Sequence, residues 1–300
     1  MRVTNQMISN NLLRCIHTNL SELERAQDRL ASGREIRRPS DDPVRAVIAM
    51  GLRAGLGETV QYQSNIQDAL SWLEVTEGAL AGAIEVLQRA RDLAVQGATD
   101  TLPQESRDAL KKEVEQLKEQ LGTIANSVYG DRYIFGGTKT HKTPYDGSTW
   151  QGNGGEIKFA IAPKVEMQVN IPGMELFWEK QTSEGQTVKG AIQVLDELAG
   201  LLGDSGKTGS DISSMIGEID RVLDSFISTR GEIGARVNRL EMSLARLEQT
   251  GFEQTDLLSR AEDADIARAI IDLKNRENAY RVTLAAGARI IMPTLIDFLR

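Results

Sequence analysis

The sequence predicts a mainly α protein: a long antiparallel helical coiled-coil rod formed by both chain ends, with a small inserted β-rich domain. Three observations predict this class. Apolar residues recur at alternating steps of three and four through both halves of the chain, as in helices that pack along their length. The stretches 44–102 and 173–292 contain no proline, a residue that costs a helix interior about 3 kcal/mol. Aromatic residues instead concentrate between 129 and 178.

The first predicted segment, residues 1–42, is a helix followed by a turn. Its apolar stripe comprises Leu13, Ile16, Leu20 and Leu23. A helix with such a stripe must bury it against another helix. The turn contains Asp41 and Asp42, and Asp42 is placed to cap the next helix, with Pro43 in its first turn.

Rod helices are predicted for residues 43–137 and for residues 186–258. In the first stretch the repeat runs through Ile66, Leu73, Leu80 and Leu87, and after Pro103 it continues from Leu110 to Val128. A short helix from Thr187 to Leu202 opens the second stretch, and the repeat then runs from Ile212 to Leu247. Polar residues interrupt the two repeats at Glu77, Arg91 and Arg230.

The inserted β-rich domain is predicted for residues 138–185. Apolar residues alternate there with period two, first at Ile157, Phe159 and Ile161, then at Val165, Met167, Val169 and Ile171. This period is typical of strands, and 162–164 between them has the composition of a turn, which indicates a β-hairpin. Because a two-stranded hairpin is marginal alone, other strands or the rod must cover its apolar face.

The last predicted segment, residues 259–300, is a second terminal helix with an apolar stripe. The stripe comprises Ile266, Ile270, Leu273, Tyr280, Leu284, Ile291 and Leu295. The acidic cluster 262–265 at its start is interpreted as a helix start or an exposed face, since its spacing matches no calcium loop. Two terminal helices with unsatisfied stripes suggest chain ends that meet, or a subunit that is completed by assembly.

Charge and composition exclude several functions. The net charge is −8 without a basic stripe, so nucleic acid is not a predicted partner, and no window is long and apolar enough to predict a membrane helix. The single cysteine, Cys15, is interpreted as a small packing residue on the first helix. The segment 203–209 resembles the end of a phosphate-binding loop, but Leu201 stands where that motif needs glycine, which favours an exposed loop. We predict no catalytic site, cofactor or metal.

Motifs at both ends resemble the bacterial flagellin family. Residues 30–49 are similar to the family's characteristic turn with its Asp-Asp pair, residues 259–267 to its Ser-Arg-Ile-Glu-Asp-Ala-Asp signature, and residues 294–300 to its leucine-rich close. Three further stretches, 39–43, 93–97 and 132–139, look most like the hook-associated protein 3 branch, whose members join the hook to the filament.

This resemblance implies a structural role and a set of partners. The terminal helices would pack in the inner tube of the flagellum, and the partners would be the adjacent hook-associated protein, flagellin, copies of the chain in a ring, and an export chaperone on the C-terminal helix. The loop residues Arg37, Arg38, Asp41 and Asp42 are candidates for a subunit contact, or form a solvated turn that joins two helices. The absence of a secretory signal alone predicts a cytoplasmic protein, whereas the family implies type III export to the flagellum.

Two other functions stay open at this point. The chain could be a flagellin, the filament subunit itself, which polymerises alone. An enzyme grafted into the β-rich domain would need a convergent polar site, and residues 138–185 supply only His141 and scattered acidic residues. A junction adapter is the function that the sequence favours.

Overall fold

The computed structural model describes residues 5–99, 102–181 and 187–291. The described chain is mainly α, with a small antiparallel β region, as predicted. It divides into two compact units, Met1–Glu58 with Gln249–Arg300, and Thr59–Glu248. The long helices α2 (Pro43–Gly97) and α5 (Gly209–Glu262) each contribute to both units, and each unit is described by itself below.

The first unit contains helices from both ends of the chain. Helix α1 spans Asn5–Ser32 and α6 spans Ile266–Ile291, and these two helices pack together. The first part of α2 and the last part of α5 belong to the same unit. Asp42 caps α2 as predicted, because its Oδ1 accepts the amide hydrogens of Val44 at 3.0 Å and Arg45 at 3.1 Å.

The second unit is built on the middle of α2 and α5. Ion pairs join Glu77 to Arg230 and Arg91 to Asp220, so residue numbers rise along one helix as they fall along the other, and the helices are antiparallel. The polar residues that interrupt the predicted repeats are therefore partners across the helix pair. Ile66, Leu73, Leu80 and Leu87 of α2 are fully buried at seven-residue spacing. Helices α3 (Gln104–Ala125) and α4 (Ala191–Gly203) complete the unit's helical core.

In the residues that the structure describes, the β region consists of three two-stranded antiparallel sheets. They pair β1 (Val128–Tyr129) with β2 (Arg132–Tyr133), β3 (Lys158–Ala162) with β4 (Val165–Gln168), and β5 (Glu179–Gln181) with β6 (Thr187–Lys189). A π-helical turn, Met174–Trp178, lies between the second and third sheets. The predicted hairpin is confirmed in β3 and β4, and the helices cover it: Asn65 of α2 donates to the Ala160 carbonyl at 2.9 Å.

Two predicted helix boundaries were wrong. The repeat suggested helix as far as Val128, but α3 ends at Ala125, because the Asn126 side chain leaves the helix and exchanges two hydrogen bonds with the backbone of Tyr145 at 2.8 and 2.9 Å. Gly130, at a φ of 63°, then turns the chain into β2. The predicted short helix at Thr187 begins instead at Ala191, since Thr187–Lys189 pairs with β5. Within the predicted loop 203–209, residues 204–208 are exposed, while Gly203 ends α4 and Gly209 begins α5.

Candidate assembly interface

Helices α1 and α6 meet along an antiparallel seam that is partly polar. Asn19 donates to Thr283 Oγ1 at 2.6 Å, and Glu22 pairs with Arg276 at 3.3 Å. At the other end, a Cβ on Gly287 would approach Leu12 Cδ2 to 2.9 Å, so a side chain there would push the helices apart. The seam residues, all buried or half-buried, are Leu12, Ile16, Asn19, Leu23, Ala26, Ala269, Leu273, Arg276, Tyr280, Thr283 and Gly287.

The predicted apolar stripes only partly coincide with this seam. Ile16, Leu23, Leu273 and Tyr280 lie in it, but the other described members remain 43–48% exposed. These exposed residues, which we call the outer face, are Leu13, Leu20, Ile266, Ile270 and Leu284. The side chain of Ile291 and the whole of Leu295 lie outside the part of the chain that the structure describes. Counting apolar residues missed the seam because Asn19, Thr283 and Gly287 belong to it.

The outer face lies on one side of the α1/α6 pair. Successive residues of a helix are about 100° apart, so Leu13 and Leu20 lie about a quarter turn from the α1 seam. Ile266, Ile270 and Leu284 lie at a similar rotation from the α6 seam. Because the helices run antiparallel, equal rotations from the seam bring residues to the same side. Helices from both chain ends therefore contribute to one exposed apolar face.

A buried carboxylate on the last residue of α5, just before α6 begins, joins this part of the chain to the N-terminal segment. Glu262 is only 4% exposed, and its Oε2 accepts from Arg53 Nη2 at 2.5 Å and lies 3.6 Å from Arg34 Nε. Two backbone hydrogen bonds flank it, from the Glu35 amide to the Glu262 carbonyl at 2.7 Å and from the Ala264 amide to the Gly33 carbonyl at 2.9 Å. The interpretation of 262–265 as an exposed face was wrong for Glu262, because two arginines compensate its burial.

The predicted contact loop uses most of its charges internally. Asp41 accepts the amide hydrogens of Arg37 at 3.3 Å and Arg38 at 2.9 Å, and the bond from Arg38 is the main cause that holds the pKa of Asp41 below its ordinary value. The Arg37 guanidinium pairs with Asp28 at 3.1 Å, and Asp42 caps α2. The loop thus has a defined conformation, with the Arg38 side chain exposed.

Cys15 was misassigned as a packing residue. It is exposed on α1, because the seam passes through Leu12, Ile16 and Asn19 and leaves position 15 outside it. Of the helices that the structure describes, none is both long and apolar enough to cross a membrane. The described residues hold no group of three or more His, Cys, Asp or Glu side chains placed to bind a metal ion.

Known proteins resemble this chain along most of its length. A family model described as the bacterial flagellin N-terminal helical region matches residues 3–140. Over these residues the chain is similar to the flagellin family. A flagellin from Clostridium tyrobutyricum is 34% identical over 140 residues, 46% of this chain and 37% of that relative. Flagellar hook-associated protein 3 of Escherichia coli (strain K12) is 24% identical over 305 residues, 95% of this chain and 96% of that protein.

Two solved structures have a similar fold. A flagellar hook-associated protein from Vibrio parahaemolyticus has a TM-score of 0.66 and 22% identity, covering 74% of this chain and 100% of that structure. A flagellar junction protein from Legionella pneumophila has a TM-score of 0.57 and 17% identity, covering 73% of this chain and 100% of that structure. At these identities the likeness concerns the fold.

Proposed function

We propose that this chain is a structural adapter of the bacterial flagellum that joins the hook to the filament. The observation that carries the proposal is the outer face, since exposed apolar surface built from both chain ends is suited to burial by other subunits. The match to hook-associated protein 3 along nearly the whole chain supports the junction role. The proposal includes no catalytic step.

The proposed partners follow from that role. The adjacent hook-associated protein contacts the chain on the hook side, flagellin contacts it on the filament side, and further copies complete a ring through heterologous contacts. In this arrangement α1 and α6 lie toward the inner tube and the β-rich segment faces outward. Arg38 is the loop residue that we propose for a subunit contact, because Arg37, Asp41 and Asp42 have partners within the chain.

We also propose that the chain leaves the cell through the flagellar type III channel with a cytoplasmic chaperone on α6. Before assembly the outer face would otherwise be open to premature pairing, because its residues are apolar and nearly half exposed. A chaperone that covers Ile270 and Leu284 prevents this.

Flagellin itself is the second candidate function, favoured by the 34% identity to a flagellin over the N-terminal 140 residues. Electron microscopy separates the two candidates. The purified chain is incubated with isolated hooks and, separately, with short filament seeds and precipitant, beside a flagellin control. We expect a single added layer on hook ends. Long filaments from this chain would make it a flagellin.

Replacing Ile270 and Leu284 together by Asp is expected to weaken both chaperone binding and assembly at least about tenfold, since charges cannot be buried in an apolar contact without compensation. Chaperone affinity is measured by calorimetry. Assembly is measured by electron microscopy as the fraction of isolated hooks that gain an added layer, which we call the hook-capping assay. The matched control replaces Ile271 and Val282, which are also exposed on α6 but lie on its side away from the seam. Equal losses in both variants would contradict the assignment of the outer face.

A further inference from the structure

The antiparallel pair of α2 and α5 has an open groove in the unit Thr59–Glu248. Its volume is about 780 Å³, and its floor is apolar, with Leu73 and Ile233 essentially fully buried and Leu70 and Val237 beside them. Another side of the pair is covered here by the β3–β4 hairpin, where Arg236 donates to the Gln168 carbonyl at 3.5 Å. Among the described residues, the groove lies on a different side of the helix pair from this hairpin and is open.

Two glycines open the groove. Gly231 and Gly234 are interior residues of α5, where glycine destabilises a helix relative to alanine. A Cβ built at either position meets no atom within 4 Å, so packing inside the chain does not require a glycine there. Their absent side chains leave room for a close approach from outside.

The lips of the groove are acidic. Glu74 and Glu241 are exposed on its two sides, while Glu77 at one end is paired with Arg230, whose Nε donates at 3.2 Å. An occupant that fits this groove therefore presents an apolar side chain to the floor and basic side chains to the lips.

Helix α5 itself carries an exposed apolar side chain between two basic ones, as such an occupant requires. We call these three residues the Met242 ridge. Met242 is 68% exposed and stands between the exposed Arg239 and Arg246 at steps of three and four residues. At about 100° per residue, this ridge points about a third of a turn away from the groove side of α5. Methionine is unbranched and adapts to irregular cavities, which suits insertion over the glycines.

We propose that the groove receives the Met242 ridge of a second copy of this chain, with Arg239 and Arg246 beside the acidic lips. The inference deepens the proposed function, on which it rests, by naming the lateral contact of the ring. Groove and ridge lie on different sides of one helix; together they span residues 230–246, and they overlap along it at 239–241. Each copy therefore presents one groove and one ridge, which gives a heterologous contact that repeats around a ring.

Replacing one groove glycine by alanine tests whether the groove is a contact site. Gly234→Ala is expected to raise the melting temperature of the free chain and to lower self-association in the hook-capping assay about tenfold, because the added methyl group fills the space for Met242. Gly217→Ala is the control, because Gly217 also lies inside α5 with nothing within 4 Å of a Cβ, but outside the groove. It is expected to raise the melting temperature and leave assembly unchanged. Equal assembly by both variants would overturn the proposal.

Cysteine cross-linking then identifies the occupant. In a Cys15→Ser background, Gly234→Cys combined with Met242→Cys is expected to give a ladder of disulfide-linked species on capped hooks. The double variant still assembles because the shorter side chain at position 242 leaves room for the one added at position 234. The two positions are about 12 Å apart on one helix, beyond the reach of about 7 Å for a disulfide, so each bond joins two copies. Either cysteine alone, and Gly217→Cys with Met242→Cys, should give no ladder.

The outcomes separate the inference from the proposed function. Capped hooks without the ladder would overturn this lateral contact and leave the adapter role in place. A chain that caps no hooks would overturn both proposals.

Discussion

Replacing Phe177 with alanine is expected to lower the free energy of unfolding of the unit Thr59–Glu248 by about 3–5 kcal/mol, the usual cost of emptying a buried phenylalanine site. The ring is fully buried, with its centroid 4.9 Å from that of Phe135 and 5.3 Å from that of Phe226 in edge-to-face contacts, and it stacks on Trp150 at 6.1 Å. It thus holds three parts of the β region against α5, and its loss leaves a cavity that the three neighbouring rings keep from collapsing.

Urea unfolding followed by tryptophan fluorescence measures this loss in the right unit, because Trp72, Trp150 and Trp178 all belong to it. Ile227→Ala is the control within the same unit. Ile227 is 54% exposed on α5, so its truncation is expected to change the free energy of unfolding by less than about 0.5 kcal/mol. A loss below about 1 kcal/mol for Phe177→Ala would show that the aromatic cluster does not hold the β region to the helix.

The long helices could be predicted because their signal is local and repeated. Ile66, Leu73, Leu80 and Leu87 recur every seven residues, and each position of the repeat adds evidence for the same face. The β3–β4 hairpin was predictable for the same reason, since its period-two alternation flanks a turn. By contrast, the end of α3 depends on Asn126, whose side chain bonds to a backbone 19 residues away. No local pattern reports that contact.

The side-chain contacts between the two halves of the chain could not be predicted from the sequence. Glu77, Arg91 and Arg230 appeared there only as interruptions, because their roles depend on the register between two antiparallel helices. The predicted contact face of α1 and α6 differs from the observed seam for a related reason. A count of apolar residues gives weight to Leu13 and Leu20 and none to Asn19 or Gly287. One signal for Gly287 was present, since a glycine in the middle of a helix indicates a close approach by another chain segment.

The sequence predicted which residues belong to the candidate assembly interface better than it predicted where they lie on the helix pair. The apolar residues of both ends were identified, but a stripe on one helix cannot show which of its members the partner helix covers. The structure divides them into a seam and an outer face, and only the second is available to other subunits. Glu262 was missed because an acidic cluster on a helix is usually solvated, and its two arginine partners come from distant parts of the chain.

Replacing Glu262 with glutamine is expected to weaken the attachment of α6 to the N-terminal segment by about 2 kcal/mol, as for a lost hydrogen bond to a charged group. Glutamine keeps the shape of the side chain and one acceptor oxygen but removes the charge between Arg34 and Arg53. Since both arginines are about half exposed, water recovers part of their solvation, and the loss stays below that of a fully buried ion pair.

Amide hydrogen exchange measures this effect as faster exchange in α6 over residues 266–288, with the unit Thr59–Glu248 unchanged. Asp263→Asn is the matched control, because Asp263 is the exposed neighbour whose carboxylate bonds only locally to Ser259 at 2.5 Å. The outer face exists only while α1 and α6 are held together, so the Glu262 variant should also cap hooks less well than the Asp263 variant. Unchanged exchange in α6 would mean that the seam alone holds the two terminal helices, and that Glu262 is buried without positioning the assembly surface.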